Sequence, residues 1–313
     1  SYAAPSANAG SPNETCTGSN GDYYTHPVFT FGDNEINGFW IGKFELTGSS
    51  SKLTILPSTS SLKNYSISSF SRVIQNMQAS SNIYGLSTSR TNTDSHMITN
   101  MEWGAVAYLT NSKYGRCTNG SCTEVTINNC SSYITGIGGD SVSASSSSST
   151  CTTAANKYNG TKGVLASTTG NITGVYDMSG GSSESTMGNI SSTRGNYTFY
   201  SSESGFASSW YTTSTAKYVT TYAYDASNYD NQTAYNRGRL GDATGEVVSS
   251  TGGTGAWYYD SSYFPYSSIS WFNRGGRFDD SSKAGVFNFY YSNGVGYSTS
   301  FPSSRAILVS LSS

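Results

Sequence analysis

The chain has 313 residues, of which 12% are charged and 14% are aromatic, and its net charge at pH 7 is -2. Because ordinary soluble domains contain about 25% charged residues, Ser, Thr, Asn, Gly and Tyr must supply much of the polar surface here. The 25 Tyr, 13 Phe and 5 Trp exclude a disordered chain, and no apolar run is long enough to span a membrane. Lys and Arg are scattered without a basic run, which argues against a nucleic-acid partner.

Two regions follow from the pattern along the chain. Residues 1–22 are small and polar and predict an extended N-terminal arm. Because no signal-peptide pattern opens the chain, we expect that a signal or anchor has been removed before Ser1. Residues 23–313 predict a single domain of the α+β class, with two early helices, many short strands and long loops.

The elements can be predicted in chain order from the spacing of apolar residues. Alternation over Phe39–Thr47 predicts the clearest strand. Helical spacing predicts one helix within Ser69–Ala79 and a second within Asn92–Tyr114, the latter capped by Asp94 or Ser95. Beyond these helices, short aromatic runs separated by Gly and Ser predict strands and loops to the end of the chain.

The five cysteines predict an oxidising compartment. Cys117 and Cys122 bracket a short loop, and Cys130 and Cys151 bracket a Gly/Ser-rich segment, so we expect two local disulfides. Cys16 is then left over, and is either an inert thiol or a link to another subunit. The N-x-S/T sequons are about as frequent as chance predicts from this composition, and they leave glycosylation open.

Residues suited to catalysis or metal binding are few. The chain has two His and no nucleophile elbow, so a Ser/His/Asp triad has little support. Most carboxylates are expected to be solvated loop charges. Asp242 and Glu246, within a Gly-containing segment, offer oxygen ligands for a structural Ca²⁺, although the segment lacks the ligand density of an EF-hand loop. No other cofactor is expected.

Four motifs occur in chain order: Gly38–Thr47, Asn100–Tyr108, Asn171–Gly180, and Phe272–Gly276 together with Ser304–Ala306. Together they resemble the formylglycine-generating enzyme (sulfatase-modifying factor) superfamily. Each is weak alone, but the ordered set spans nearly the whole chain. The resemblance implies a C-type-lectin-like fold of the formylglycine-generating-enzyme type. The oxidase of that family uses a C-terminal cysteine pair, and this chain has no Cys after Cys151, so oxidase activity is disfavoured.

The C-terminal segment contains a second set of motifs, Arg274-Gly275-Gly276, Ala284–Phe287 and Arg305. This set is similar to the fixed framework of the variable region in retroelement-diversified C-type-lectin proteins of phage and bacterial surfaces. The resemblance implies that the residues between them face a ligand, whereas the alternative is that these aromatics only pack on neighbours. The expected ligand-binding residues are Trp271, Asn273, Arg277, Phe278, Asp279, Asp280, Asn288, Tyr290, Tyr291, Asn293 and Tyr297.

Two functional hypotheses follow. The first is a non-enzymatic recognition or adhesion protein, displayed outside a cell or phage, that binds a protein or glycan on another surface. The second is a structural subunit of a pilus-like filament that assembles through the arm at residues 1–22 and Cys16. The two hypotheses are compatible, and neither requires a membrane span in this chain.

Overall fold

The fold is described by a computed structural model over residues 2–3, 23–145, 151–190, 204–207, 209–222, 238–245, 253–254, 257–265, 269–290 and 298–311. Of the expected arm at residues 1–22, only Tyr2–Ala3 falls within this range, and it pairs antiparallel with Tyr23–Tyr24. The described elements are two α-helices and many short strands, which confirms the α+β class.

The described strands in chain order are β1 Tyr2–Ala3, β2 Tyr23–Tyr24, β3 Thr30–Phe31, β4 Asn34–Glu35, β5 Phe39–Ile41, β6 Thr47–Gly48, β7 Leu53–Thr54, β8 Thr93–Met97, β9 Cys117–Thr118, β10 Ser121–Cys122, β11 Glu184–Ile190, β12 Thr220–Tyr222, β13 Gly253–Thr254, β14 Ser261–Ser262, β15 Trp271–Gly275, β16 Gly285–Tyr290 and β17 Ala306–Ser310. The strand expected over residues 39–47 is therefore shorter than predicted: β5 ends at Ile41, and β6 begins at Thr47.

Two sheets organise the domain. The larger is mixed and has the order β12-β11-β15-β16-β14-β13, with β11–β12 and β14–β16 parallel and the other pairs antiparallel. The smaller is antiparallel and has the order β5-β17-β8. The C-terminal strand β17 thus lies between two strands from the first third of the chain, which makes the fold depend on contacts between distant segments.

The first helix, α1, spans Ile67–Gln75, so it begins two residues before the predicted region Ser69–Ala79 and ends four residues before that region does. Ser66 caps it by accepting a hydrogen bond from the backbone N–H of Ser69. Its Phe70 and Ile74 side chains are fully buried. Burial of this apolar face against β8 supplies most of the helix's stability, because nine residues are too few for an isolated helix in water.

The second helix, α2, spans Asn100–Thr110, and its predicted start is wrong. The residues expected to cap it, Asp94 and Ser95, lie instead in strand β8, where both are fully buried. The actual cap is Thr99, which forms a capping box with Glu102: the Glu102 N–H donates to Thr99 Oγ1 at 3.2 Å, and the Thr99 N–H donates to Glu102 Oε2 at 2.7 Å.

Arg305 precedes β17 and joins the two sheets through a fully buried guanidinium. It donates a bidentate pair of hydrogen bonds to the carboxylate of Glu184 at the start of β11. It also donates to the carbonyl oxygens of Gly42, at 2.7 Å, and Tyr176, at 2.8 Å. One side chain therefore fixes three remote segments.

Two further buried carboxylates, those of Glu45 and Asp177, lie near this ion pair. The Asp177 carboxylate accepts hydrogen bonds from the Gly136 N–H and the Asn128 side chain, both at 2.8 Å. Burial, followed by the charges of Asp177 and Glu184, raises the pKa of Glu45 well above its ordinary value. With three acidic groups around one guanidinium, this cluster favours retention of a proton at Glu45.

The disulfides Cys117–Cys122 and Cys130–Cys151 are present, which confirms both predicted pairs. Each disulfide closes a short segment of the chain, and both lie between β8 and β11 in the sequence. Cys16 lies outside the described residues. Among the described elements, no helix is both long and apolar enough to cross a membrane.

Arg305→Met should destabilise the protein by about 3–5 kcal/mol, because it leaves the buried Glu184 carboxylate without a counter-ion. Lys162→Ala provides the matched control, since Lys162 pairs with Asp140 on the surface and such pairs contribute about 1 kcal/mol or less. Both free energies of unfolding can be measured by urea titration with the disulfides intact. Equal losses in the two variants would contradict a structural role for the buried pair.

Candidate functional site

The Arg274-Gly275-Gly276 motif ends β15 and turns the chain into the loop that precedes β16. Gly275 and Gly276 have φ values of +82° and +71°, in the left-handed region that favours glycine. A Cβ on Gly276 would lie only 2.8 Å from the Cα of Ala284. Both glycines are therefore required by the backbone, and they bring the two ends of the loop together.

The loop itself is held by hydrogen bonds at several points. The Arg277 N–H donates to Asp280 Oδ2 at 2.6 Å, and the Phe278 N–H donates to the carbonyl of Gly181 at 3.0 Å. Ser281 Oγ donates to the carbonyl of Ser143 at 2.6 Å. These bonds anchor the loop to two other segments, so its side chains project from a backbone of defined geometry.

Partly exposed aromatic and cationic side chains from four segments meet around this loop. We call this set the aromatic–cation cluster, and its members are Lys63, Tyr133, Arg277, Phe278 and Phe301. The Tyr133 and Phe278 rings are edge-to-face with centroids 5.1 Å apart. Lys63 Nζ lies 3.4 Å from the Tyr133 ring centroid, and Arg277 Cζ lies 4.5 Å from that of Phe301.

Acidic groups act on both cations of the cluster: Asp279 and Asp280 on Arg277, and Glu45 on Lys63. Asp279 accepts two hydrogen bonds from Arg277, at 2.9 Å from Nε and 2.6 Å from Nη2. Partial burial lowers the pKa of Lys63 below its ordinary value. The cluster thus combines ring faces, a positioned guanidinium and a carboxylate. Such a combination suits non-covalent recognition, in which aromatic residues and Arg contribute most of the binding energy.

The structure divides the predicted ligand-binding residues into three groups. Those at the surface are Arg277, Phe278, Asp279, Asp280 and Tyr290. Those that are buried, with at most 3% of their surface exposed, are Trp271, Asn273 and Asn288. Those that lie outside the described residues are Tyr291, Asn293 and Tyr297. The cluster contains Arg277 and Phe278, whereas the Tyr290 ring packs edge-on against Tyr263, with centroids 5.2 Å apart.

The expectation that Trp271, Asn273 and Asn288 are exposed is wrong, because they lie in the interior strands β15 and β16. The Trp271 ring stacks on Phe206 with centroids 5.6 Å apart. Asn273 accepts a hydrogen bond from Ser185 on the neighbouring strand, and Asn288 donates one to the Lys283 carbonyl. The two Asn side chains thus bind neighbouring parts of the fold, and none of the three residues is exposed at the surface.

The proposed calcium ligand Asp242 is also buried and already occupied. Its Oδ1 accepts from the N–H and hydroxyl of Thr244, and its Oδ2 accepts from the Tyr222 hydroxyl and the Arg239 N–H. Glu246 lies outside the described residues. Within the described part of the chain, no group of three or more His, Cys, Asp or Glu is arranged to hold a metal.

Sequence reasoning missed Lys63, Tyr133 and Phe301. They come from three separate segments and carry no motif of their own. The one signal in the sequence was at Tyr133, a large aromatic residue among small polar ones. In the structure its backbone is also unusual, with a positive φ of 54°. Nothing in the sequence pairs it with Phe278, 145 residues later, because only the tertiary fold brings these rings together.

Both histidines are buried, and they are held in opposite protonation states. His26 accepts from the Val28 N–H through Nδ1 and contacts the Gly241 carbonyl through Nε2, and burial lowers its pKa to about 4. For His96, burial alone would lower the pKa, but Glu102 at 2.8 Å and Asp94 at 3.2 Å outweigh it and raise the pKa to about 9. All four ring nitrogens therefore contact protein groups.

The imidazole signals of His26 and His96 should titrate far apart, near pH 4 and pH 9, in a ¹³C NMR experiment on the folded protein. Because the pKa of His96 rises on folding from about 6.5, its contribution to stability is complete below pH 6.5 and is lost as pH rises through 9. That contribution is on the order of 3 kcal/mol. A His96 signal that titrates near 6.5 would contradict the buried ion pairs.

The chain was also compared with known proteins. No protein-family model matches it, and a search of the curated proteins finds no significant match. The geometry of the candidate site and the four sequence motifs are therefore the observations on which a function can be argued.

Proposed function

We propose that this chain is a non-enzymatic, extracellular recognition or adhesion protein that binds a protein or glycan through the aromatic–cation cluster. The single observation that carries the proposal is the cluster itself. It places three aromatic rings and two cations at the surface around a loop anchored by hydrogen bonds. Rigid presentation of such side chains lowers the entropy lost on binding.

The proposed fold is the C-type-lectin-like fold of the formylglycine-generating-enzyme type. The support for this fold is that residues from three of the four sequence motifs meet at Arg305. The first motif contributes Gly42, the third contributes Tyr176, and the last contributes Arg305 itself, and the three are joined by hydrogen bonds. Motifs that meet at one buried residue are expected to preserve a fold and not a reaction.

Three observations support a binding role outside the cell in preference to catalysis. The two disulfides suit an oxidising compartment, such as a cell or phage surface. The chain has no Cys after Cys151, so the thiol pair of the sulfatase-modifying oxidase has no counterpart here. Both histidines are engaged with internal protein groups, which disfavours them as general bases.

A second candidate function is a filament subunit that assembles through its N-terminal arm. Tyr2–Ala3 pairs antiparallel with Tyr23–Tyr24 of the same chain. If the same pairing forms between copies, the arm adds a strand to its neighbour, and main-chain hydrogen bonds hold the polymer together. A filament of this kind displays the aromatic–cation cluster many times, so the two proposed functions are compatible.

The combined substitution Tyr133→Ala, Arg277→Ala and Phe278→Ala should reduce binding by about 100-fold or more, because hot-spot residues each contribute about 2 kcal/mol. Binding is measured against an array of immobilised glycans and a displayed peptide library. Trp40→Ala serves as the control, since Trp40 is a 62% exposed aromatic residue outside the cluster. Ligands that bind the triple variant as tightly as the unchanged protein would exclude the cluster as the binding site.

Deletion of residues 1–22 should convert filaments into single particles, because it removes the strand that the arm would add to a neighbour. The measurement is negative-stain electron microscopy of the full chain and the deletion variant, with Cys16→Ser as a separate variant that tests a covalent link. Filaments that persist without the arm would reject this assembly mechanism.

A further inference from the structure

A small cavity lies where the segment after β10 meets the beginning of β16, and no member of the aromatic–cation cluster lines it. It is largely enclosed and has room for an occupant about the size of one water molecule. The residues that line it are Thr110, Asn111, Thr123, Glu124, Val125, Tyr258, Asp260, Gly285, Val286 and Phe287.

Asp260 contributes a fully buried carboxylate to the cavity wall. Its Oδ2 accepts a hydrogen bond from the Phe287 N–H at 3.0 Å. Its Oδ1 has no hydrogen-bond partner within the part of the chain that the structure describes. Because an unsatisfied carboxylate oxygen is costly to bury, this atom requires a proton, a bound water molecule or a positively charged ligand.

Gly285 allows the carboxylate to occupy this place. A Cβ on residue 285 would lie 2.1 Å from Asp260 Oδ1 and 2.2 Å from Oδ2, so any other residue would displace the acid. Gly285 also lines the cavity. Because Gly285 in β16 has no side chain, it leaves space for the Asp260 carboxylate beside the cavity.

Glu124 brings a second carboxylate to the same cavity from a less buried position. Burial raises its pKa to about 7. Burial also raises the pKa of Asp260 well above its ordinary value, and the charge of Glu124 raises it further. Both shifts arise mainly from the loss of hydration on burial, which favours the protonated form of each acid.

The charge of Arg116 lowers the pKa of Glu124 and that of Arg274 lowers the pKa of Asp260, and both guanidinium groups also donate hydrogen bonds to other acceptors. Arg116 donates to the backbone carbonyls of Thr123, Glu124 and Leu165, at distances between 2.6 and 3.3 Å. Arg274 donates to the Asn100 side chain and to the carbonyls of Asp242 and Ala243. These hydrogen bonds lead to acceptors other than the two carboxylate groups at the cavity.

We propose that this cavity binds a small hard cation, for which Ca²⁺ is the appropriate probe, through the carboxylates of Asp260 and Glu124. The lining offers oxygen and no sulfur or imidazole ligands, which favours Ca²⁺ or Mg²⁺ over transition metals. Because only two acids contribute, neutral oxygens such as those of Thr110, Thr123 and Tyr258 must complete the coordination. We therefore expect an affinity of about 10⁻⁴–10⁻³ M, as in extracellular calcium modules.

The bound cation would connect three segments of the chain that also meet in the hydrophobic core, through Val125, Trp257 and Phe287. Glu124 follows the β9–β10 hairpin, and Asp260 immediately precedes β14. Asp260 also binds the backbone of β16, the strand that follows the loop of the aromatic–cation cluster. The cation would thus stabilise β14 and β16 in the larger sheet without contacting the recognition surface, and this inference is independent of the proposed function.

The first experiment is a titration of the metal-free full chain with Tb³⁺, whose luminescence is excited through the neighbouring Trp257 and Tyr258 rings. We expect about one bound Tb³⁺ per chain, displaced by millimolar Ca²⁺. Asp260→Asn should weaken the binding of Tb³⁺ and Ca²⁺ by at least about tenfold, because it removes the buried charge. Asp33→Asn, a change at an exposed carboxylate, is the matched control and should leave both affinities unchanged.

The second experiment measures Tm with and without 10 mM CaCl₂. Calcium should raise the Tm of the unchanged protein and of Asp33→Asn by about 3–8 °C, and should leave Asp260→Asn unaffected. If Asp260→Asn does not fold, Glu124→Gln replaces it and should reduce the shift. The proposal is overturned if Tb³⁺ binding and the calcium shift survive both substitutions, or if neither ion binds the unchanged protein. In the second case, stabilisation by Asp260→Asn at pH 7 would indicate a protonated acid.

Discussion

The five-donor guanidinium of Arg305 is the interaction on which the rest of the fold depends. It lies at the start of the central strand of the smaller sheet and binds the first residue of a strand in the larger one. It also fixes the carbonyls of Gly42 and Tyr176. Because the planar fork of an Arg side chain can satisfy these acceptors only when all are in place, the arrangement ties the two sheets into one unit.

Several features could be predicted from the sequence, and they share a physical basis. Both disulfides were predictable because each closes a short segment, and α1 was predictable because it buries an apolar face. The start of α2 was less predictable, because its buried residues include the polar Asn100, Glu102 and Thr110. The motif residues Gly42, Tyr176 and Arg305 were singled out separately, and they meet in space. These signals are local in the chain, or they mark residues whose loss would leave buried groups unpaired.

Other predictions failed where polarity was taken as a sign of exposure. Asp94, Ser95, Asn273 and Asn288 are polar and were placed at a helix cap or on a ligand-facing surface, yet all are buried. This protein replaces part of its apolar core by hydrogen-bonded polar strands, so hydropathy does not distinguish inside from outside. The aromatic–cation cluster was only half predictable for a different reason: Lys63, Tyr133 and Phe301 reach Arg277 and Phe278 through tertiary contacts alone.

Strand β11 shows what a polar interior implies for the folding of such a chain. All seven of its residues, Glu184–Ile190, are buried, and most of them are polar or small. An apolar strand can shift in register by two residues relative to its neighbour and still bury its side chains. The same shift in β11 would separate Ser185 from Asn273 and Glu184 from Arg305. A sheet with misaligned strands would then contain buried polar groups without hydrogen bonds and a buried charge without a counter-ion. The same Ser, Thr and Asn residues that weaken the hydrophobic driving force thus select one alignment of the strands from many alternatives.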